Sequence, residues 1–175
     1  MIKFSKLAGG TPLPPRPQLR HILWSWAGAA LAIGFVAFLS TASGKPWLTA
    51  PFGASAVLVF GLPDSPLAQP RNVVGGHVLT TIVGLSFLHL FGTEWWSLAL
   101  AVATAVALMQ ATRTVHPPAG ANPLVVMLSA APWGFVLTPA LAGSLAIVAI
   151  AVIWNNLAPQ RRYPLYWIGS RTTAR

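Results

Sequence analysis

Residues 118–131, PAGANPLVVMLSAA, decide how this chain must be read. The stretch opens on proline and glycine and only then becomes apolar and helix-compatible. It is too short to cross a bilayer core of about 30 Å, which takes roughly 20 helical residues. Proline pre-sets the dihedral of a helix start, and Asn122 can cap free amides nearby. Residues 51–62, PFGASAVLVFGL, have the same build, with Ser55 in the place of Asn122. Each reads as an extended lead-in followed by a half-helix. A displacement of 67 residues, the distance from Pro51 to Pro118, also lays Gly53 on Gly120, Ala54 on Ala121, Gly76 on Gly143, and Leu31-Ala32 on Leu98-Ala99. The chain is therefore expected to repeat one unit: long helix, broken short segment, long helix.

Around the two broken stretches lie four segments of near-bilayer length, at 22–40, 73–91, 95–112 and 135–154. The predicted fold is all-α: a polytopic helical membrane protein with four long transmembrane helices, two short broken or re-entrant half-helices and an inverted repeat. Composition agrees. Of 175 residues 55% are hydrophobic and 7% charged, whereas a soluble domain carries about 25% charged residues. Asp64 and Glu94 are the only acids, too few for a water-facing surface. Small residues recur every fourth position (Ala30 and Gly34; Gly76, Thr80 and Gly84; Ala99, Ala103 and Ala107), a spacing that lets helix backbones approach closely in lipid.

The net charge is +9, and its placement matters more than its size. Lys3, Lys6, Arg16 and Arg20 precede the first apolar segment, and Arg161, Arg162, Arg171 and Arg175 follow the last. Cations flanking spans mark the cytoplasmic side. Three parts are expected: a basic, proline-rich cytoplasmic tail over 1–20; a transmembrane domain over 21–157, with halves at about 21–91 and 95–156; and a basic cytoplasmic tail over 158–175. The start does not resemble a signal peptide, since the apolar run begins only after Arg20. If the broken segments cross the bilayer, the halves are inverted, and Arg71 and Arg113 share the cytoplasmic side with the tails. If the segments re-enter instead, those arginines lie opposite. Crossing is the preferred reading.

Function is read from two polar runs. In Ala111–Pro123, ATRTVHPPAGANP, Arg113 and His116 run directly into a Pro-Pro-Ala-Gly-Ala break. Pro117 and Pro118 remove amide donors, Gly120 permits close backbone approach, and the following half-helix would present free N–H groups and its positive dipole end to a small anion. In Pro63–His77, PDSPLAQPRNVVGGH, Arg71, Asn72 and His77 can face a pathway. An ionisable group within a span is costly and usually faces the bundle interior or water.

Other classes find little support. The two acids are not placed to meet as a catalytic pair. There is no cysteine, zinc-like histidine spacing, P-loop or nucleophile elbow. No catalytic residue, metal or cofactor is expected, and nucleic acid is not an expected partner.

The string HPPAGANPLVV with the preceding ATRTV resembles the signature of the HPP family of small integral membrane proteins. PFGASAVLVFGLPDSPLAQPRNVVGGH resembles that family's other well-marked region, and the likeness covers roughly residues 20–157. The resemblance implies four transmembrane helices and a transport role, because plastid and cyanobacterial relatives are associated with nitrite. Some family members carry a cytoplasmic CBS domain, and none is expected in these residues. Carried onto this chain, the motifs touch Pro51, Gly53, Ala54, Ser55, Gln69, Pro70, Arg71, Asn72, Gly76, His77, Arg113, His116, Pro117, Pro118, Gly120 and Asn122.

The expected function is a transporter or channel for a small inorganic anion, with nitrite as leading substrate, in a bacterial inner membrane. Gly53, Ala54 and Ser55 would meet Gly120, Ala121 and Asn122 around the anion near the midplane. Arg71 and Arg113 would draw it in, and protonation of His116 or His77 would couple proton movement to transport. Besides the anion and the bilayer, a second copy of the chain is an expected partner. The rival is a non-transporting scaffold or subunit, and a lipid-phosphate enzyme stands behind it.

Overall fold

The computed structural model describes residues 12–168. The tail cations Lys3, Lys6, Arg171 and Arg175 lie outside them. Six α-helices follow in order: α1 (Leu19–Ser43), α2 (Pro51–Ala56), α3 (Pro70–Phe91), α4 (Trp95–Ala111), α5 (Asn122–Leu128) and α6 (Ala142–Asn156). No strand occurs among the described residues. Three helices are long and apolar enough to span: Leu19–Ser43, Pro70–Phe91 and Trp133–Asn156. The fourth expected span, α4, has 17 residues, a rise of about 26 Å. It starts where the backbone of Glu94 is extended, at φ −61° and ψ 149°, and Arg113, at a φ of 57°, turns the chain away after its end.

Both broken segments form as short helices opened by proline. α2 begins at Pro51 and runs on through wider π-helical turns from Val57 to Gly61. Its eleven residues rise about 16 Å, about half the thickness of a bilayer core of about 30 Å. On the second segment a 3-10 turn, Pro117–Ala121, leads into α5. These bounds repeat at the 67-residue displacement. Residues 51–61 map onto 118–128, which are that turn and α5. The start of α3 at Pro70 maps onto Leu137, where the π-helical turn leading into α6 begins.

Helix directions follow from the contacts at one end of the bundle. His21 and Ser25, near the start of α1, bond the Gly61 and Phe60 carbonyls at the end of α2, at 3.2 and 2.7 Å. Trp24 stacks on Trp154 near the end of α6, with centroids 4.5 Å apart. Arg71, at the start of α3, donates to the Thr112 carbonyl just past α4 at 2.9 Å and to the Ile168 carbonyl at 3.0 Å. The starts of α1 and α3, the ends of α2, α4 and α6, and the C-terminal segment therefore gather at this end. Arg71 and Arg113 lie with both ends of the described chain.

Glycines set the tightest approaches. A Cβ on Gly76 of α3 would stand 2.9 Å from the His116 Cβ and 3.1 Å from the Thr114 carbonyl oxygen. A Cβ on Gly143 of α6 would stand 2.5 Å from the Phe52 ring and 2.7 Å from the Trp47 carbonyl oxygen. Thr114 and Ala119, both against Gly76, are the 67-residue counterparts of Trp47 and Phe52. Each half thus lays its glycine on the other half's break. On α3 the small stripe packs as expected: Gly76 under His116, Thr80 beside Asn122, and Gly84 with its would-be Cβ 2.5 Å from the Pro123 Cα.

The other two small stripes face outward. Ala30 and Gly34 are exposed on α1, where Gly28, Ala32 and Val36 are buried instead. Ala99, Ala103 and Ala107 are exposed on α4, where Ser97, Ala101, Ala105 and Met109 are buried. Helices rich in alanine carry small residues on several faces, so spacing alone does not select the packed one.

Candidate functional site

Four polar side chains from four parts of the chain meet in the interior. Ser55 comes from α2, His77 from α3, His116 from the lead-in to the second break and Asn122 from the start of α5; none is more than 1% exposed. The Ser55 Oγ lies 2.8 Å from the His77 Nε2 and 2.8 Å from the His116 Nε2. On the far side of His77, the Asn122 Nδ2 is 3.0 Å from its Nδ1, 3.0 Å from its carbonyl oxygen and 3.1 Å from the Thr80 Oγ1. On the far side of His116, its Nδ1 is 2.8 Å from the Leu67 carbonyl oxygen. The Phe52 ring meets His77 edge-on at 4.9 Å.

Local structure explains the convergence. Pro51 starts α2 so that Ser55, one turn later, points inward under the break. Pro117 and Pro118 stop α4 from continuing and hold His116 extended, at φ −134° and ψ 100°, against Gly76, whose missing side chain makes room.

The other expected site residues take different places. Gly53, Ala54 and Ala121 are exposed and Gly120 is half-buried; Ala54 and Ala121 lie on an apolar groove of about 680 Å³ lined by Ala50, Pro51, Ala54, Val57, Leu58, Pro117, Pro118, Ala121 and Val125. All of these but Val57 form pairs at the 67-residue displacement: Ala50 with Pro117, Pro51 with Pro118, Ala54 with Ala121 and Leu58 with Val125. The groove therefore lies between equivalent faces of the two halves. Arg113 is exposed. Arg71 joins α3 to the turn after α4 and to the C-terminal segment. Asn72 donates to the Val115 carbonyl at 2.8 Å, steadying the strand of chain that carries His116.

The free amides expected at the half-helix starts are taken up. Pro51, Pro117 and Pro118 have none. The Phe52 and Gly53 amides donate to the Thr49 and Ala50 carbonyls at 3.0 and 3.1 Å, and the Ala119 amide to the His116 carbonyl at 2.9 Å. Ala50 is already α-helical, at φ −52° and ψ −41°, so a tight turn precedes each break and consumes its donors. What converges at the breaks is a set of side chains rather than a ring of amides.

Residues that the motifs did not single out frame the cluster. Thr80, three residues beyond His77, holds Asn122. The Leu67 carbonyl belongs to the turn Pro66–Ala68, and the C-terminal segment clamps that turn. The Tyr163 hydroxyl donates to the Ala68 carbonyl at 2.8 Å, the Leu165 amide to the Gln69 Oε1 at 2.8 Å, and the Tyr166 hydroxyl to the Pro66 carbonyl at 3.0 Å. Burial pushes the Tyr163 hydroxyl above the usual phenol range. Nearby, Arg161 donates to the Phe60 and His21 carbonyls, the Ser25 Oγ and the Asn155 Oδ1. Burial lowers this guanidinium's pKa, and Asp64 opposes the shift. Thr80 was legible only as a small residue of the α3 stripe, and a backbone carbonyl and a tail of mixed composition gave no signal at all.

The profile of the HPP transmembrane region matches residues 14–164. The chain belongs to the HPP family. Two transmembrane proteins of Dictyostelium discoideum are similar to this HPP protein. One is 39% identical over 176 residues, covering 94% of this chain and 57% of the relative. The other is 37% identical over 166 residues, covering 88% of this chain and 58% of the relative. The chain thus spans well under two thirds of either. No solved structure matches it. It is an integral membrane protein with apolar helices, and its family is consistent with a transporter or channel.

Proposed function

We propose that this HPP protein is a membrane transporter or channel for a small inorganic anion, with nitrite as the first substrate to test. The observation that carries the reading is the buried Ser55–His77–His116–Asn122 cluster where the two breaks meet. Four polar side chains deep among apolar helices are costly, and such groups in membranes mark ion or proton pathways.

The reading includes an inverted repeat of three crossings per half. Reciprocal packing of Gly76 and Gly143 supports it, as do the paired lining of the groove and the gathering of helix ends described above. In transporters so built, the substrate site lies near the midplane between the repeats. Arg71 and Arg113 stand at the end shared with the basic tails and would draw the anion there. By the charge rule this end is cytoplasmic, at a bacterial plasma membrane. The groove opens sideways, and a second copy of the chain would wall it in. The bonded amides shift the expected anion contacts toward Ser55, His116 and Asn122, with Gly53, Ala54, Gly120 and Ala121 forming the approach.

Flux into proteoliposomes tests the proposal. Wild-type protein is expected to carry nitrite above empty liposomes, and His116→Ala and Arg113→Gln to reduce it. Wild-type flux no greater than that of empty liposomes for nitrite, nitrate and formate would favour a scaffold that uses the cluster to pin its breaks. Full flux in both variants would keep transport and remove this site.

A further inference from the structure

The hydrogen bonds of the cluster fix where every proton sits, and that in turn fixes where an added one can go. The Leu67 carbonyl only accepts, so the His116 Nδ1 facing it carries a hydrogen. At the other end the His77 carbonyl only accepts, and the Thr80 hydroxyl spends its own hydrogen on the Gly76 carbonyl at 2.8 Å. Both therefore require the amide nitrogen of Asn122 in the position it holds, leaving its Oδ1 without a partner. That nitrogen only donates, with two hydrogens shared among three acceptors, so the His77 Nδ1 beside it has no hydrogen of its own and neutral His77 carries its hydrogen on Nε2.

The two imidazoles are thus opposite tautomers. The His77 Nε2–H donates to the Ser55 Oγ, and the Ser55 hydroxyl donates to the bare His116 Nε2. Donation runs one way through the set, from Asn122 through His77, Ser55 and His116 to Leu67. Ser55 has a second acceptor in reach, the Pro51 carbonyl at 3.3 Å.

Two nitrogens in this set lack hydrogen. The His77 Nδ1 is blocked by an amide that cannot turn without setting its oxygen against the His77 carbonyl. The His116 Nε2 faces a hydroxyl that can turn. We propose that the cluster is a single-proton site: His116 takes the proton on Nε2, the Ser55 hydroxyl swings from His116 to the Pro51 carbonyl, and His77 stays neutral. In the protonated state the Ser55 Oγ accepts from both imidazoles and no hydrogen is stranded. One proton is bound, and no bond between heavy atoms changes.

The groups that touch the resulting imidazolium are neutral: Ser55 from α2, His77 from α3 and the Leu67 carbonyl from the turn before α3. The nearest titratable or charged groups on the packed elements lie farther out: Asp64 on the loop carrying Leu67, Arg71 at the start of α3, Arg113 after α4, and Tyr163 on the C-terminal segment, bonded at Ala68. With no carboxylate in contact, the imidazolium calls for an incoming anion, so the proton and the anion would be bound together as a neutral pair. This step rests on the transport reading above; the proton site itself does not.

Solid-state nitrogen NMR of the full chain in lipid, labelled at histidine, tests the site. The chain has four histidines, and His21→Gln and His89→Gln variants clear two signals. Near neutral pH the remaining pair is expected as one Nε2–H and one Nδ1–H tautomer. On acidification one of the two, assigned to His116 by chain connectivity, becomes imidazolium while His77 keeps its neutral signature. Identical tautomers, protonation of His77 first or protonation of both together would overturn the proposal. The His77 and His116 signals come from unaltered residues, so variants that fail to fold at those positions do not blur the answer. In liposomes holding a pH dye, inward nitrite is expected to bring acid with it, and His116→Gln to abolish that acidification. The NMR result without any flux would uphold the proton site and sink the transport reading. Nitrite flux without acidification would sink the pairing.

Discussion

The two halves share a scaffold and differ in chemistry. At equivalent places each has a proline-opened short helix, a glycine laid on the other half's break and an alanine on the groove. Polar Ser55 and Asn122 are counterparts, but the histidines do not repeat. His116 in the second half corresponds to Thr49 in the first, whose buried hydroxyl has no partner among the described residues. His77 in the first half corresponds to Ser144 in the second, whose hydroxyl bonds its own helix at the Ala140 carbonyl. One histidine therefore comes from each half, at non-equivalent positions, and both meet on Ser55. The matched pair Ser55 and Asn122 and the two unmatched histidines make the site together, and the histidines give it its asymmetry.

The largest effect tests the inversion itself. The chain has no cysteine, so single cysteines can report sidedness without background. Arg113→Cys is expected to react with a membrane-impermeant thiol reagent from the side of the tails, and Lys45→Cys and Glu94→Cys from the other, all or none. Labelling of Arg113→Cys and Lys45→Cys from the same side, opposite the tails, would break the three-crossing half. Next in size are the paired glycines. Gly143→Ala puts a methyl 2.7 Å from a backbone oxygen that cannot step aside, and overpacking of this kind costs about 1–3 kcal/mol. Gly53→Ala, with nothing within 4 Å of the new methyl, is expected to leave the thermal midpoint in detergent within a degree or two of wild type, roughly a few tenths of a kcal/mol.

Two buried serines, one from each half, sharpen the contrast. Ser55→Ala removes the one atom that partners both imidazole Nε2 atoms, and stranding a buried polar group costs about 1–3 kcal/mol. Ser144→Ala removes a hydroxyl that only doubles up on a carbonyl of its own helix, and such back-bonding adds little. Unfolding midpoints should separate the two variants clearly. Equal losses would mean that the cluster contributes no more to stability than an ordinary helix serine.

Much of this was legible in the sequence, for physical reasons that differ by residue. Pro51 and Pro118 gave away the breaks because proline cannot continue a helix, and the 67-residue displacement paired Gly76 with Gly143, two places where close packing leaves no room for a side chain. Ser55, His77, His116 and Asn122 stood out as polar groups in apolar surroundings. Three things were hidden. The turn bonds that occupy the starting amides depend on the dihedrals of Thr49 and Ala50, which no motif encodes. The outward turn of Ala30, Gly34, Ala99, Ala103 and Ala107 depends on neighbours in space. The Leu67 carbonyl, which sets the tautomer of His116, is backbone, and any residue type would supply it.

A gain in stability, rather than a loss, is expected at Thr49, the counterpart of His116. Its hydroxyl oxygen is buried without a hydrogen-bond partner, while its carbonyl serves the turn that starts α2. Valine has nearly the same shape and keeps that carbonyl. Thr49→Val therefore removes an unsatisfied buried polar atom and leaves the turn intact, which should raise stability by about 1 kcal/mol and move the detergent unfolding midpoint up by a few degrees. Anion flux should not change, since the Thr49 hydroxyl makes no bond to the Ser55–His77–His116–Asn122 cluster. A fall in flux with Thr49→Val would mean that the Thr49 hydroxyl itself serves the pathway, and the place assigned to it in the scaffold would have to be redrawn.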